Sequence, residues 1–476
     1  MSDHHAIPES DSRVSRRSLL SRSAASGVGI ALIGSVDGLF GASASAQPGN
    51  GRGKPGPAGY GPLVSDPAGI LSLPAGFTYT IVAKSGSTVL ESGQVTPDDP
   101  DGMAAFVRRG GNGSVLVNNH EIGGSEPNGV PAIPGFVYDP LARGGTTTIE
   151  VDKDGNRVRE YVSLAGTHNN CAGGRTPWET WLTCEETESS PSGSSLRHGY
   201  VFEVDPYDQD ANRDPKPIKA LGRYAHEACA VDPHTGAIYL TEDAASPNGL
   251  FFRWTPPDSA LPIGKGSLRE LADDAGTLEA MKAFALDGAH VPDLSVAKVP
   301  GTTYRVEWVN VPDRDAATTP VRRQFSDSQI TRSRKFEGMS WGDGGAYVQA
   351  SFARFSDGSA DQHDGQVWFY DPLDSTIELK LWFAYTPSDQ DNDPDGPDNI
   401  TVSPYGGVII AEDGDGVNHL VGSSESGEAF FFARNEIEGD SEFTGPTFSN
   451  DKKTLFACVQ SPGHVFAIQG PFHKQR

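Results

Sequence analysis

Apolar and β-branched runs flank turn clusters of Pro, Gly and Asp in three stretches that can be laid on one frame. They are CAGGRTPWETWLTCEE from Cys171, EACAVDPHTGAIYLTED from Glu227 and DNITVSPYGGVIIAED from Asp398. Each reads strand, turn, strand. A potential metal ligand (Cys171, Glu227, Asp398) stands six residues before the turn proline (Pro177, Pro233, Pro404). A carboxylate (Glu185, Glu242, Glu412) follows that proline by eight or nine residues. Weaker copies begin at Asp101, Glu337 and Thr444, the first ending in His120 and Glu121. Six self-similar units with starts near 101, 171, 227, 337, 398 and 444 predict an all-β fold, a six-bladed β-propeller of four-stranded blades with loops of uneven length. A β-sandwich is the alternative, but it leaves the alignment of the three acidic ends to chance. Acids at equivalent places in a repeat converge, and converging carboxylates persist only around cations, so a metal site is expected in the central channel.

The first residues read as an address. Ser15-Arg16-Arg17-Ser18-Leu19-Leu20 is a twin-arginine pattern, followed by a weakly apolar stretch and small-residue cleavage sites ending at Ala46. The expected division is a signal peptide over 1–46, a Gly/Pro-rich linker over 47–61 and the propeller over 62–476. Twin-arginine export carries folded proteins to the periplasm or the outside, often with cofactors loaded. The leader carries four basic and four acidic residues, so the net charge of −25 belongs wholly to the mature part. Such a surface repels nucleic acid and anionic lipid.

Of the four cysteines, Cys184, Cys229 and Cys458 lie inside apolar strand patterns and read as small core residues. Cys171 sits in a polar, glycine-rich setting at the ligand position, where a soft thiolate favours a transition metal, whereas the carboxylates suit hard cations. DNDPDG from Asp391 resembles the start of a calcium loop, but Val402 occupies the place of its closing Glu, so it reads as an acidic loop with a possible peripheral calcium role. A Gly-x-Ser-x-Gly elbow, a Walker A loop, His-Glu-x-x-His and a dinucleotide fingerprint are all missing from the sequence.

The chain resembles the PhoX family of secreted alkaline phosphatases. The matching segments are NNHE at Asn118 to Glu121, NNCAGGRTPWETWLTCEE at Asn169 to Glu186, HEACAVDP at His226 to Pro233, YLTED at Tyr239 to Asp243, FEGM at Phe336 to Met339, PDN at Pro397 to Asn399 and AEDG at Ala411 to Gly414. The resemblance implies a six-bladed propeller that holds two ferric ions (Fe3+) and two to three calcium ions (Ca2+) and hydrolyses small phosphate monoesters as a monomer. It implies iron ligands at Cys171 and Glu186, and further carboxylate ligands at Glu242, Glu337 and Asp413. Glu121, Glu185, Glu227 and Glu412 would be calcium ligands or lie just behind them, and Asp398 holds a ligand position of the repeat. The family arginine that grips phosphate is replaced by Lys335, with Arg334 beside it, and either would orient the substrate. Two other readings of the residues remain open. One is a calcium-dependent propeller hydrolase of diesters, phytate or lactones, and the other a non-catalytic, calcium-stabilised binding module.

Overall fold

The computed structural model describes residues 58–388, 391–439 and 441–475, all within one unit, Gly53–Arg476. The twin-arginine leader and most of the linker lie outside the described residues. The regular structure here is strand, interrupted by short 3-10 turns, with no α-helix among the described residues. The turn chemistry explains the hairpins. Asp343 and Gly344, for example, form a two-residue loop between Phe336–Gly342 and Gly345–Ala350, both with positive φ (52° and 84°).

Each expected unit start falls on an innermost strand: Pro100–Val107, Asn170–Arg175, His226–Val231, Phe336–Gly342, Pro397–Val402 and Phe443–Phe448. From each of them antiparallel strands step outward. The first group adds Gly113–His120, Gly144–Asp152 and Arg157–Thr167, and the second only Trp181–Glu185 and Val201–Val204. The expectation of four strands in every unit therefore fails at the second. The third group (ending in Thr277–Phe284) and the fourth (ending in Thr376–Phe383) share one continuous sheet, because the crossover strand Thr303–Asn310 pairs with both outer edges. The last group is completed by Thr78–Lys84, which pairs with His464–Gln469. Leu71–Pro74 meanwhile extends the fifth group beside Ala429–Asn435.

The innermost strands pack against one another in chain order, and Phe443–Phe448 returns to Pro100–Val107. The result is an all-β, propeller-like arrangement. Its apolar core is divided into wedges between neighbouring groups. Phe106, Val117 and Leu164 of the first group meet Trp181, Tyr200 and Phe202 of the second. Tyr239, Phe251 and Met281 of the third meet Val348, Trp368 and Tyr370 of the fourth. The closing wedge places Phe456, Cys458 and Val465 against Met103, Leu116 and Ile149. All four cysteines are buried and unbridged, as core packing requires of Cys184, Cys229 and Cys458. The innermost strands surround an axial channel of about 640 Å³ that begins one residue below the ligand positions, at Gly102, Ala172, Gly338, Asn399 and Gly445.

Candidate metal centre

Five of the six innermost strands break register at their ligand position, and the sixth breaks it just after Thr444. The shift lies between Pro100 and Met103, Asn170 and Gly173, His226 and Cys229, Phe336 and Met339, Pro397 and Asn399, and Thr444 and Thr447. A β-bulge re-aims the side chain it carries, and a bulge at the same place in five groups turns one residue from each of those strands toward a common region. Asp101, Cys171, Glu227, Glu337 and Asp398 all sit in these bulges. Small residues beside them permit the close approach of neighbouring strands. A Cβ on Gly102 would lie 2.5 Å from the Cα of Ala172, and one on Gly338 would lie 2.4 Å from the Asp398 carbonyl oxygen. Buried Asn119 braces one bulge directly, its Nδ2 donating to the carbonyls of Cys171 (2.9 Å) and Ala172 (2.8 Å).

Three donor groups result, each with ligand atoms within 4.8 Å of one another: Cys171, Glu186 and Glu227; Glu227, Glu337 and Asp398; Asp398, Asp413 and Glu442. Glu227 and Asp398 each belong to two of them, so the three form a connected row. Glu227 is only 1% exposed, and neither of its carboxylate oxygens has a hydrogen-bond partner beyond the Cys171 thiol beside them. Burial pushes its carboxyl well above the ordinary range, and the negative charges of Asp398, Glu337 and Asp101 push it further. Burial likewise raises the Cys171 thiol, reinforced by Glu227, Glu186 and Asp101. The thiol donates toward the carbonyls of His226 (3.3 Å) and Glu227 (3.4 Å). A buried cluster of like charge of this kind is stabilised by bound cations and strained without them.

The three acidic ends that aligned in sequence do different work. Glu185 Oε1 accepts from the His168 amide (2.9 Å) and His198 Nδ1 (2.7 Å), and Oε2 from the amides of Gly199 (2.8 Å) and Tyr200 (3.1 Å). Glu412 accepts from the amides of Asp395 (3.1 Å) and His419 (2.8 Å) and from His419 Nδ1 (3.0 Å). Both carboxylates thus hold backbone at the ligand end of their groups. Glu242 Oε1 meets Arg322 Nη1 at 3.1 Å, while burial lifts its carboxyl to about 7 despite that arginine. Glu121 accepts from Asn169 Nδ2 (3.2 Å) and Gln460 Nε2 (2.8 Å). None of these four belongs to the three donor groups. Glu442 does, and sequence reasoning missed it because it stands two residues before the Thr444 that the repeat frame placed as the ligand.

The family model described as "Alkaline phosphatase PhoX" matches residues 58–159 and 155–463, which covers every donor above. The chain belongs to the PhoX alkaline phosphatase family. No curated relative matches it. Among solved structures it is similar to a gluconolactonase from Xanthomonas campestris, at 14% identity over 87% of this chain and 99% of that one, with a TM-score of 0.40. It is also similar to the pyranose dehydrogenase PQQ domain from Coprinopsis cinerea, at 11% identity over 84% and 97%, with a TM-score of 0.35. Likenesses this distant transfer no activity.

The two basic candidates of this PhoX-family chain differ in how they are engaged. Lys335, buried and held at a positive φ of 48°, places Nζ 2.8 Å from Glu337 Oε1 and 2.9 Å from Asp243 Oδ2. Its ammonium is therefore spent on one donor carboxylate and one neighbouring acid. Arg334 brings Nε to 3.1 Å from Asp357 Oδ2 in an ion pair without hydrogen-bond geometry, and its side chain is only 11% exposed. A guanidinium fork that no donor carboxylate engages suits a phosphoryl group better than an ammonium shared with Glu337 does.

Proposed function

We propose that the chain is an exported, metal-dependent phosphomonoesterase built as a six-bladed β-propeller. The observation that carries this reading is the row of three donor groups joined by Glu227 and Asp398, inside a chain of the PhoX family. The donor chemistry fits the metals that the family implies. Cys171 with Glu186 and Glu227 suits iron, and the two all-carboxylate groups suit calcium or a mixed set. When bound, the cations supply Lewis-acid charge that stabilises the phosphoryl group as water displaces the alcohol.

The protein's own residues then have distinct tasks. Glu227 and Asp398, each shared by two donor groups, would hold neighbouring cations. Lys335 holds Glu337 against Asp243 and keeps that carboxylate aimed at the centre. Arg334 orients the phosphate through its guanidinium fork. The substrate is a small phosphate ester, the enzyme acts as a monomer, and residues 1–46 direct it through the twin-arginine machinery to the periplasm or the outside. Replacing Arg16 and Arg17 by lysine should leave uncleaved protein in the cytoplasm, and normal secretion of that variant would remove the export reading. Activity is tested by phosphate release from a simple monoester before and after prolonged chelation. Loss with the chelator and return with calcium support the reading, and full turnover in the thoroughly stripped protein contradicts it.

A further inference from the structure

Beside the donor row stands a wall of alternating cations and rings. The Arg334 guanidinium lies 5.4 Å from the Phe352 ring centre, Arg354 lies 5.0 Å from the same ring, and Arg354 also lies 4.3 Å from the ring of Tyr385. Both arginines are anchored. Arg334 is paired with Asp357 as above, and Arg354 with Asp364 Oδ1 at 2.6 Å and with the carbonyls of Ala353 (3.0 Å) and His363 (2.7 Å). The wall is tied to the centre at both ends. Ser351, next to Phe352, donates its amide to the Lys335 carbonyl at 3.0 Å, two residues from Glu337. At the other end Arg354 pairs with Asp364, whose carbonyl accepts from the Gly396 amide (2.8 Å), and the Gly396 carbonyl accepts from the Asp413 amide (2.8 Å). The loop that carries the wall also presents Phe355 at 60% exposure, and Tyr385 remains 40% exposed.

We infer that this wall is a leaving-group subsite that selects phosphate monoesters of planar aromatic alcohols. The inference rests on the phosphomonoesterase reading and adds the substrate class to it. Its chemistry is specific. The partly exposed rings of Phe355 and Tyr385 offer π-rich apolar surface that a planar aromatic group fills better than a short alkyl one. The arginines and Phe352 are already held in place, so little ordering cost opposes binding.

Calorimetric titration of the metal-loaded protein with phenylphosphonate and methylphosphonate, neither of which can be hydrolysed, tests the inference. Phenylphosphonate is expected to bind about tenfold more tightly, and Tyr385→Ala or Phe355→Ala should shrink that ratio about fivefold, a change typical of one lost ring stack. Both positions are exposed, so the variants are expected to fold, which their melting curves would show. Equal affinity for the two phosphonates, or a ratio that both variants leave intact, overturns the subsite while the phosphomonoesterase reading stands. If neither phosphonate binds and the loaded protein releases no phosphate, both fail together.

Discussion

Replacing Glu227 by glutamine should produce opposite effects in the metal-free and the metal-loaded protein. Glu227 is the one residue shared by the thiol-containing group and the central carboxylate group. Its carboxylate oxygens are buried without a hydrogen-bond partner other than the neighbouring thiol, and three acids bear on it. In the stripped protein at pH 8, an isosteric amide replaces a carboxyl whose ionised form is opposed by burial and by Asp398, Glu337 and Asp101. The scale is the cost of one unsatisfied buried polar group, about 1–3 kcal/mol. Spread over a domain of this size, that is a rise in Tm of only a few degrees. In the loaded protein the same change removes a ligand from two positions, so the stabilisation gained from cations, RT ln(1 + [L]/Kd) for each site, should fall sharply. Thermal melts of wild type and Glu227→Gln in chelator and in excess calcium, with metal content measured in parallel, separate the two effects. A variant that melts lower than wild type in chelator and still carries a full complement of metal would refute this account of Glu227.

Four further outcomes are expected. Stability of the stripped protein should decline as pH rises. Carboxyls whose folded values are raised favour the folded state fully below their ordinary values, 4.5 for Glu242 and 3.8 for Asp395, and lose that contribution as pH climbs through the folded values, about 7 and about 8. Melts from pH 5 to 9 in chelator check this, and a Tm that climbs across that range contradicts it. Arg334→Ala should retain its metals yet lose about 2–4 kcal/mol of transition-state stabilisation, read from kcat/KM. Lys335→Ala should instead lower metal affinity along with activity, because it releases Glu337. The reverse assignment of these two phenotypes would return the phosphate grip to Lys335. Mutating Asn119 to alanine should slow metal uptake and lower Tm, since the Cys171 and Ala172 carbonyls lose their shared donor, and an unchanged melting curve would show that the bulge needs no brace.

Much of the fold is legible because each unit begins with a residue of ligand type followed by a fixed distance to a turn, and those starts fall on the innermost strands. The closure of the ring is not legible. Thr78–Lys84 pairs with His464–Gln469 across almost the whole chain, and no local pattern encodes so distant a partner. The acidic ends illustrate the limit for the site. Glu185, Glu242 and Glu412 align in sequence and each follows its turn into the same strand position, yet two of them bind backbone amides and one an arginine. Which of these it does depends on loops such as His198–Tyr200 and on Arg322, contributed from elsewhere. Ligand-type residues at the heads of inner strands lie near one another because the bulge there re-aims the side chain, whereas Glu442 enters from just outside its strand and breaks the frame. The engagement of Lys335 by Asp243 and Glu337 likewise depends on a fold-level contact that residue identity alone does not carry.

The central claim is that a thiol and carboxylates brought together by the bulges hold iron beside calcium and use them on phosphate monoesters. Metal analysis and the visible spectrum of protein recovered from its native export route, compared with Cys171→Ser, test it most directly. The account predicts iron and calcium together, a thiolate-to-iron absorption that Cys171→Ser bleaches or shifts, and monoester turnover that falls with it. Colourless protein that contains only calcium, or a Cys171→Ser variant with unchanged spectrum and turnover, would contradict the account and leave the calcium-dependent hydrolase as the better reading.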